Sequence, residues 1–235
     1  MYDSVIFVSL GPGEAELITL KGLKALQQAD VIFCPSTVLS NGKASSRAKD
    51  ILLELEIEEG KITLFDVPMN KDRTKAMESY KDVSEKIAEQ YREDFKVAVT
   101  AEGDAGFYSS IQYINDNLQK LDVPTSRIAG IPAFIACGTL ANIHIVKQEE
   151  ELNVIPGITN KEELSNKINH GKPVVIMKPS QCEEVVKAVM MNTPDVTFHY
   201  FENAGVKGKE FYTQDNMEIS SRKFPYFSLL IIRKD

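Results

Sequence analysis

Cysteine and histidine are scarce in this sequence, and long apolar runs are missing. Cys34, Cys137 and Cys182 are odd in number and far apart. That excludes a disulfide framework and a paired-cysteine zinc motif, and buried free thiols are the expectation. His144, His170 and His199 are equally dispersed, so no metal site is expected. No stretch approaches the roughly 20 apolar residues of a membrane span. The opening Met1-Tyr2-Asp3-Ser4 lacks the basic and apolar regions of a signal peptide. A cytoplasmic protein without a membrane partner is therefore expected. Basic residues are also outnumbered: 27 Lys and Arg face 34 Asp and Glu, for a net charge of -7. Proteins that live on phosphate backbones usually carry a basic face, so no nucleic-acid partner is expected.

What remains is an ordinary globular composition, 43% hydrophobic and 26% charged over 235 residues, enough for one large or two small domains. The organising stretch is Thr100-Ala101-Glu102-Gly103-Asp104-Ala105-Gly106-Phe107-Tyr108-Ser109-Ser110. The buried-type run 95–100 feeds into it, and Ile111, Ile114 and Leu118 mark a helical face leaving it. This is a strand, a glycine turn with one carboxylate, and a helix start. Such turns, at the C-terminal edge of a parallel sheet, are where open α/β proteins bind ligands. Gly103 and Gly106 permit positive φ and close backbone approach. The bland alternative is a turn whose Asp and Ser residues merely cap the helix.

Earlier in the chain, 5–10 reads as a buried first strand that runs into Gly11-Pro12-Gly13, a rigid loop. Neither G-x-G-x-x-G nor a phosphate-binding P-loop fits it, since Glu16 stands where the third glycine belongs and no Gly-Lys-Ser/Thr follows. Thr19 caps the next helix, and 29–33 is a second strand ending at Cys34-Pro35-Ser36. This βαβ order favours a parallel sheet. A polar loop spans 40–46, an apolar helical face follows at Ala48, Ile51, Leu52 and Leu55, and 61–65 is a strand ending at Pro68-Met69. Met77, Tyr80, Ser84, Ile87 and Tyr91 mark a long amphipathic helix. The best hinge is 121–125, which divides an N-terminal domain, 1–120, from a C-terminal one, 126–235. In the second half, Pro132-Ala133 begins a helix of small side chains whose N-terminus suits an anionic group. Strands are expected at 152–155, 173–178 and 196–201, the last running into Glu202-Asn203-Ala204-Gly205. A closing strand within 224–233 is expected to be antiparallel. The fold class is α/β, with two domains of mostly parallel sheet and a ligand cleft between them.

These residues carry a family resemblance. Leu10-Gly11-Pro12-Gly13-Glu14-Ala15-Glu16-Leu17-Ile18-Thr19-Leu20-Lys21-Gly22 resembles the opening motif of the tetrapyrrole methylases, the class III S-adenosylmethionine-dependent methyltransferases. Glu102-Gly103-Asp104 resembles their Gly-Asp-Pro turn. Phe65-Asp66-Val67-Pro68-Met69, Tyr108-Ser109-Ser110 and Tyr226-Phe227-Ser228 are most similar to the branch acting at C20 of precorrin-2 or cobalt-precorrin-2. The resemblance implies S-adenosyl-L-methionine as methyl donor, a reduced tetrapyrrole as acceptor, and a homodimer. It places Pro12, Glu102, Gly103, Asp104, Phe107, Tyr108, Ser109, Pro132, Ala133, Met177 and Ala204 at the donor, and Gly13, Ser36 and Met69 at the macrocycle. No catalytic residue is nominated. A basic rim of Lys43, Arg47 or Arg73 is expected to meet the acceptor's carboxylates. Ala105, where the family commonly has proline, is expected to loosen its turn. Pro35 stands where the uroporphyrinogen-methylating relatives carry a catalytic Asp. Other readings are methylation of a different ring carbon, diphthine synthesis, ribosomal RNA ribose methylation, or a non-catalytic nucleotide-binding module.

Overall fold

The computed structural model describes residues 3–38, 44–67 and 74–234, in two compact units, Met1–Pro132 and Ala133–Asp235. The expected hinge, 121–125, lies inside the first unit, where Thr125 opens a strand.

Among the described residues the first unit's sheet has β1 (Val5–Ser9), β2 (Val31–Val38), β3 (Ala44–Ser45), β4 (Ile62–Asp66), β5 (Val97–Ala101) and β6 (Thr125–Ile128). Five of them are parallel in the order β4-β2-β5-β1-β6, and β3 pairs antiparallel with Thr37 and Val38. The central strand β5, Val-Ala-Val-Thr-Ala, is buried at every position, as a strand covered on both faces must be. Side chains alternate across it. Phe7, Val97 and Val99 pack with Tyr80, Val83 and Ile87 of α3 (Thr74–Arg92) and with Ile114 and Leu118 of α4 (Gln112–Lys120). Val8, Ile32 and Ala98 pack on the other face, with Leu26 of α1 (Leu20–Gln28) and Ile51 and Leu52 of α2 (Arg47–Glu54). Thr19 caps α1 as expected, accepting from Gly22 N–H at 3.1 Å. Ser46 caps α2, accepting from Lys49 N–H at 3.0 Å.

Strand β2 does not stop at Cys34 as expected; it runs through Pro35 to Val38. Backbone groups alternate between a strand's two edges. Ser36 C=O faces β4 and accepts from Val67 N–H at 2.7 Å, so Pro35 faces the opposite edge. Pairing with β5 has already ended there, at Phe33. The proline therefore removes no ladder bond, and its carbonyl accepts from Ser46 Oγ at 2.6 Å.

The second unit opens with α5 (Ala133–Leu140). Its sheet holds β7 (Asn153–Ile155), β8 (Val174–Met177), β9 (Thr197–Glu202), β10 (Phe211–Thr213) and β11 (Ser228–Arg233), in the order β10-β9-β11-β8-β7. The closing strand is antiparallel, as expected, and is inserted between β8 and β9 at the centre of the sheet. One face of this sheet, with Val174, Ile176, Phe198, Tyr200, Leu230 and Ile232, packs with residues of α6 (Lys161–Asn169), α7 (Glu183–Met190) and α8 (Asn216–Ser221). Glu202, buried at the end of β9, takes Arg222 Nε at 2.8 Å, Arg222 Nη2 at 3.1 Å and the Tyr200 hydroxyl at 2.8 Å. The Arg222 guanidinium also lies 3.7 Å from the Phe211 ring centroid. Burial pushes the Glu202 pKa up, but Arg222 and the Tyr200 hydroxyl outweigh it and hold the carboxyl below its ordinary range.

The three cysteines are buried free thiols. Burial pushes the Cys137 pKa to about 12 and that of Cys182 to about 11, so both are protonated and unreactive at neutral pH. No helix among the described residues is long and apolar enough to cross a membrane.

Candidate functional site

The parallel register brings three strand ends of the first unit level: Ser9 lies beside Ala101, and Val8 beside Ile128. Past those ends the two glycine loops are zipped together. Gly11 N–H donates to Gly103 O at 3.1 Å, and Gly103 N–H donates to Gly11 O at 2.6 Å. Both residues have positive φ, +80° and +70°, which glycine adopts without steric cost.

Asp104 clasps a third loop to these two. Its Oδ1 accepts from Gly106 N–H at 2.8 Å, and its Oδ2 accepts from Gly130 N–H at 2.7 Å. Ser9, fully buried, completes the clasp: its Oγ donates to Ile128 O at 2.6 Å and accepts from Ala105 N–H at 2.8 Å. The expectation that Ala105 loosens the turn is thereby corrected. A proline has no N–H to give, whereas Ala105 uses its own to tie the turn to β1.

Glu102, at the start of the same turn, has a different environment. Arg47, the first residue of α2, places Nε 3.5 Å from Glu102 Oε2 and donates from Nη2 to Pro12 O at 3.4 Å. The Arg47 side chain is only 19% exposed, so it is drawn against the two loops rather than standing as a free rim charge. Lys43 and Arg73, its expected companions, lie outside the described residues. Burial raises the Glu102 pKa most; Arg47 opposes this, and the Asp50 charge adds to it. Beside this pair the Cys34 thiol sits 3.4 Å from Ser46 Oγ, and burial raises its pKa too.

The other expected site residues are placed as follows. Pro12, Gly13, Gly103, Asp104, Phe107, Tyr108 and Ser109 lie on the loops after β1 and β5. Phe107 and Tyr108 meet edge to face, with centroids 4.7 Å apart; Tyr108 has φ +49° and is exposed. Ser36 is buried, and its hydroxyl is spent on Phe65 O at 3.1 Å, which holds β4 to β2. Met69 lies outside the described residues. Pro132 ends the first unit, and Ala133 opens both the second unit and α5. Within the second unit Met177 and Phe201 both register with Leu229, so Met177 and the turn holding Ala204 share one sheet edge. Asn203 and Gly205 flank Ala204 with φ +50° and +79°. Gly157 meets the same edge: a Cβ on it would fall 2.5 Å from the carbonyl oxygens of Met177 and Lys178.

Sequence reasoning named Glu102, Pro12 and Arg47 but did not pair them, and it did not single out Ser9 or Gly130. The signal for Ser9 was legible, as the one hydroxyl in the run Val5-Ile6-Phe7-Val8-Ser9-Leu10. Among the described residues, no group of three His, Cys, Asp or Glu side chains could hold a metal ion.

The whole architecture can be set beside known proteins. A precorrin-2 C(20)-methyltransferase of Sinorhizobium sp. is 29% identical, over 97% of this chain and 94% of its own. A probable cobalt-precorrin-2 C(20)-methyltransferase of Methanocaldococcus jannaschii is 29% identical, over 100% of this chain and 97% of its own. The fold matches a uroporphyrin-III C-methyl transferase from Thermus thermophilus, complexed with S-adenyl homocysteine, with a TM-score of 0.68 at 14% identity; the match covers 98% of this chain and 97% of that one. The family model for tetrapyrrole (corrin/porphyrin) methylases matches residues 4–218, and with the zipped glycine loops at the strand ends this makes the chain a member of the tetrapyrrole methylases.

Proposed function

We propose that this chain methylates C20 of precorrin-2 or cobalt-precorrin-2, with S-adenosylmethionine as donor, in corrin biosynthesis. The carrying observation is the likeness, over nearly the entire length of both chains, to two methyltransferases of that position. The same reading carries a homodimer working in the cytoplasm.

The residues fit a donor with a flexible amino-acid arm. A Cβ placed on Gly103 would meet nothing within 4 Å, so the outer side of the turn is open to a ligand. The residues proposed to hold the donor are Pro12, Glu102, Gly103, Asp104, Phe107, Tyr108 and Ser109 of the first unit, with Pro132, Ala133, Met177 and Ala204. Gly13 and Met69 belong to the acceptor side. Ser36 belongs to the same side, with its hydroxyl and its carbonyl both engaged by β4 and the residue after it. When bound, the donor supplies a methyl group already activated on a sulfonium. The protein's task is then alignment, and holding two reactants in near-attack geometry is worth about 7–11 kcal/mol. The clasp of Ser9, Asp104 and Gly130 suits that task, because every group in it is fixed by a backbone bond.

The test is methyl transfer to precorrin-2 with and without cobalt, followed by NMR of the product. A new methyl on C20 is expected. A methyl on another ring carbon, or none, overturns the reading.

A further inference from the structure

Carbon methylation leaves a proton to be removed, and the donor does not take it. The acceptor carbon gives its electron pair to the methyl group, and sulfur keeps the pair of the broken bond. The methylated carbon then carries both a methyl and a hydrogen, and the ring holds one positive charge too many. The carbon-bound hydrogen must depart as a proton, its bonding pair returning to the ring.

We propose that the Glu102 carboxylate accepts this proton and that Arg47 is its positioning residue. The inference rests on the functional reading above. Two carboxylates occupy the turn after β5, and their surroundings separate their roles. Asp104 takes backbone N–H groups on both oxygens, at 2.8 and 2.7 Å, so both are engaged in holding the turn to its neighbours. Glu102 takes no backbone N–H among the described residues. Its carboxylate meets the Arg47 guanidinium at 3.5 Å, longer than a charge-assisted hydrogen bond. Its side chain is 30% exposed, so an acceptor can reach it. Burial favours its protonated form, which makes its anion a stronger base near neutral pH. Arg47 also holds Pro12 O, so a single side chain fixes the carboxylate against the loop that resembles the family's opening motif. Among the described residues, the ionised groups acting on Glu102 are Arg47 and Asp50, both on α2; the Cys34 thiol of β2 feels its charge. After proton transfer the neutral acid returns its proton to water, and the cycle closes.

The arrangement makes a prediction of opposite signs. Arg47 lowers the Glu102 pKa and Asp50 raises it. A base must be ionised, so activity falls as pH drops through its pKa. Arg47→Gln should move that acid limb to higher pH, and Asp50→Asn should move it to lower pH. Glu102→Gln should cut kcat by about a hundred-fold or more, within the range for loss of a general base. The second readout needs no turnover: carbon-13 NMR titration of the glutamate carboxyls, with Glu102 assigned by its absence in Glu102→Gln. Its midpoint should move in the same two directions and coincide with the acid limb. Thermal melting of each variant checks the fold. A wild-type protein that transfers no methyl sinks the functional reading and this one with it. A wild-type enzyme whose kcat survives Glu102→Gln within about threefold sinks this inference alone. So does a limb that Arg47→Gln and Asp50→Asn leave in place or move the same way.

Discussion

Gly130 stands so close to Ser9 that a Cβ on the glycine would fall 2.4 Å from the Cβ of the serine, and 2.7 Å from Gly103 O. Three strand ends meet within that gap, so the position has no room for any other residue.

Gly130→Ala should therefore cost about 1–3 kcal/mol by overpacking, because the atoms it meets belong to the backbone or to a fully buried side chain. Thermal melting should show the loss. Calorimetry with S-adenosylmethionine should show weaker binding, since Gly130 N–H is one of the two groups that aim Asp104.

Ser9→Ala tests the clasp without crowding it. It leaves Ala105 N–H and Ile128 C=O without their partner, and stranding buried polar groups costs about 1–3 kcal/mol. Ser9→Thr keeps the hydroxyl. If the clasp rather than side-chain volume matters, the threonine variant should retain more donor affinity than the alanine variant.

Gly157→Ala probes the second unit. The residue has φ +90°, and its Cβ would press on two carbonyl oxygens at 2.5 Å. Those oxygens belong to the Met177-Lys178 turn and cannot swing aside like a side chain. The variant should melt at lower temperature and bind S-adenosylmethionine more weakly than Gly171→Ala, where φ is also positive but a Cβ would meet open space. Equal behaviour of the two variants would separate Met177 from donor binding.

Acid should expose the Glu202 and Arg222 pair. Glu202 is held below its ordinary value of 4.5 in the folded state. Its contribution to stability is thus present above that value and is lost as pH falls through the lowered one. Arg222→Gln should cost about 1.5 kcal/mol at neutral pH; the side chain is 32% exposed, which keeps the figure low. Melting curves recorded from pH 7 to 3 should show the gap between variant and wild type narrowing below pH 4.5.

The sequence was most legible where pattern and chemistry coincide. The buried run of β5, the two glycine loops and Thr19 as a cap were all readable, because period, turn residues and capping act over a few positions. Strand β6 was not: Thr125-Ser126-Arg127-Ile128 is polar and half exposed at the edge of the sheet, so it carries no apolar run, and its first residue fell at the end of the expected hinge. Pro35 hid the continuation of β2, since a proline argues against a strand unless one edge is free. The pairing of Arg47 with Glu102 joins positions far apart in the chain, and no local pattern announces it. The same holds for Asp104 and Gly130. The turn's carboxylate was visible as a candidate, whereas its partners were set by the meeting of three strand ends.

The position of β11 bears on how the chain is made. In the first sheet the latest strand to emerge from a ribosome is β6, at Thr125–Ile128, and it sits at an edge, so that unit can assemble while the remainder is still being synthesised. In the second sheet the strand emerging last, Ser228–Arg233, is the one that joins β8 to β9. Until it arrives, β8 and β9 each present an unpaired edge lined with apolar side chains, the kind of surface that recruits chaperones or aggregates. Nascent chains stalled before residue 228 should accordingly carry a protease-resistant first unit followed by a second that is still readily cleaved.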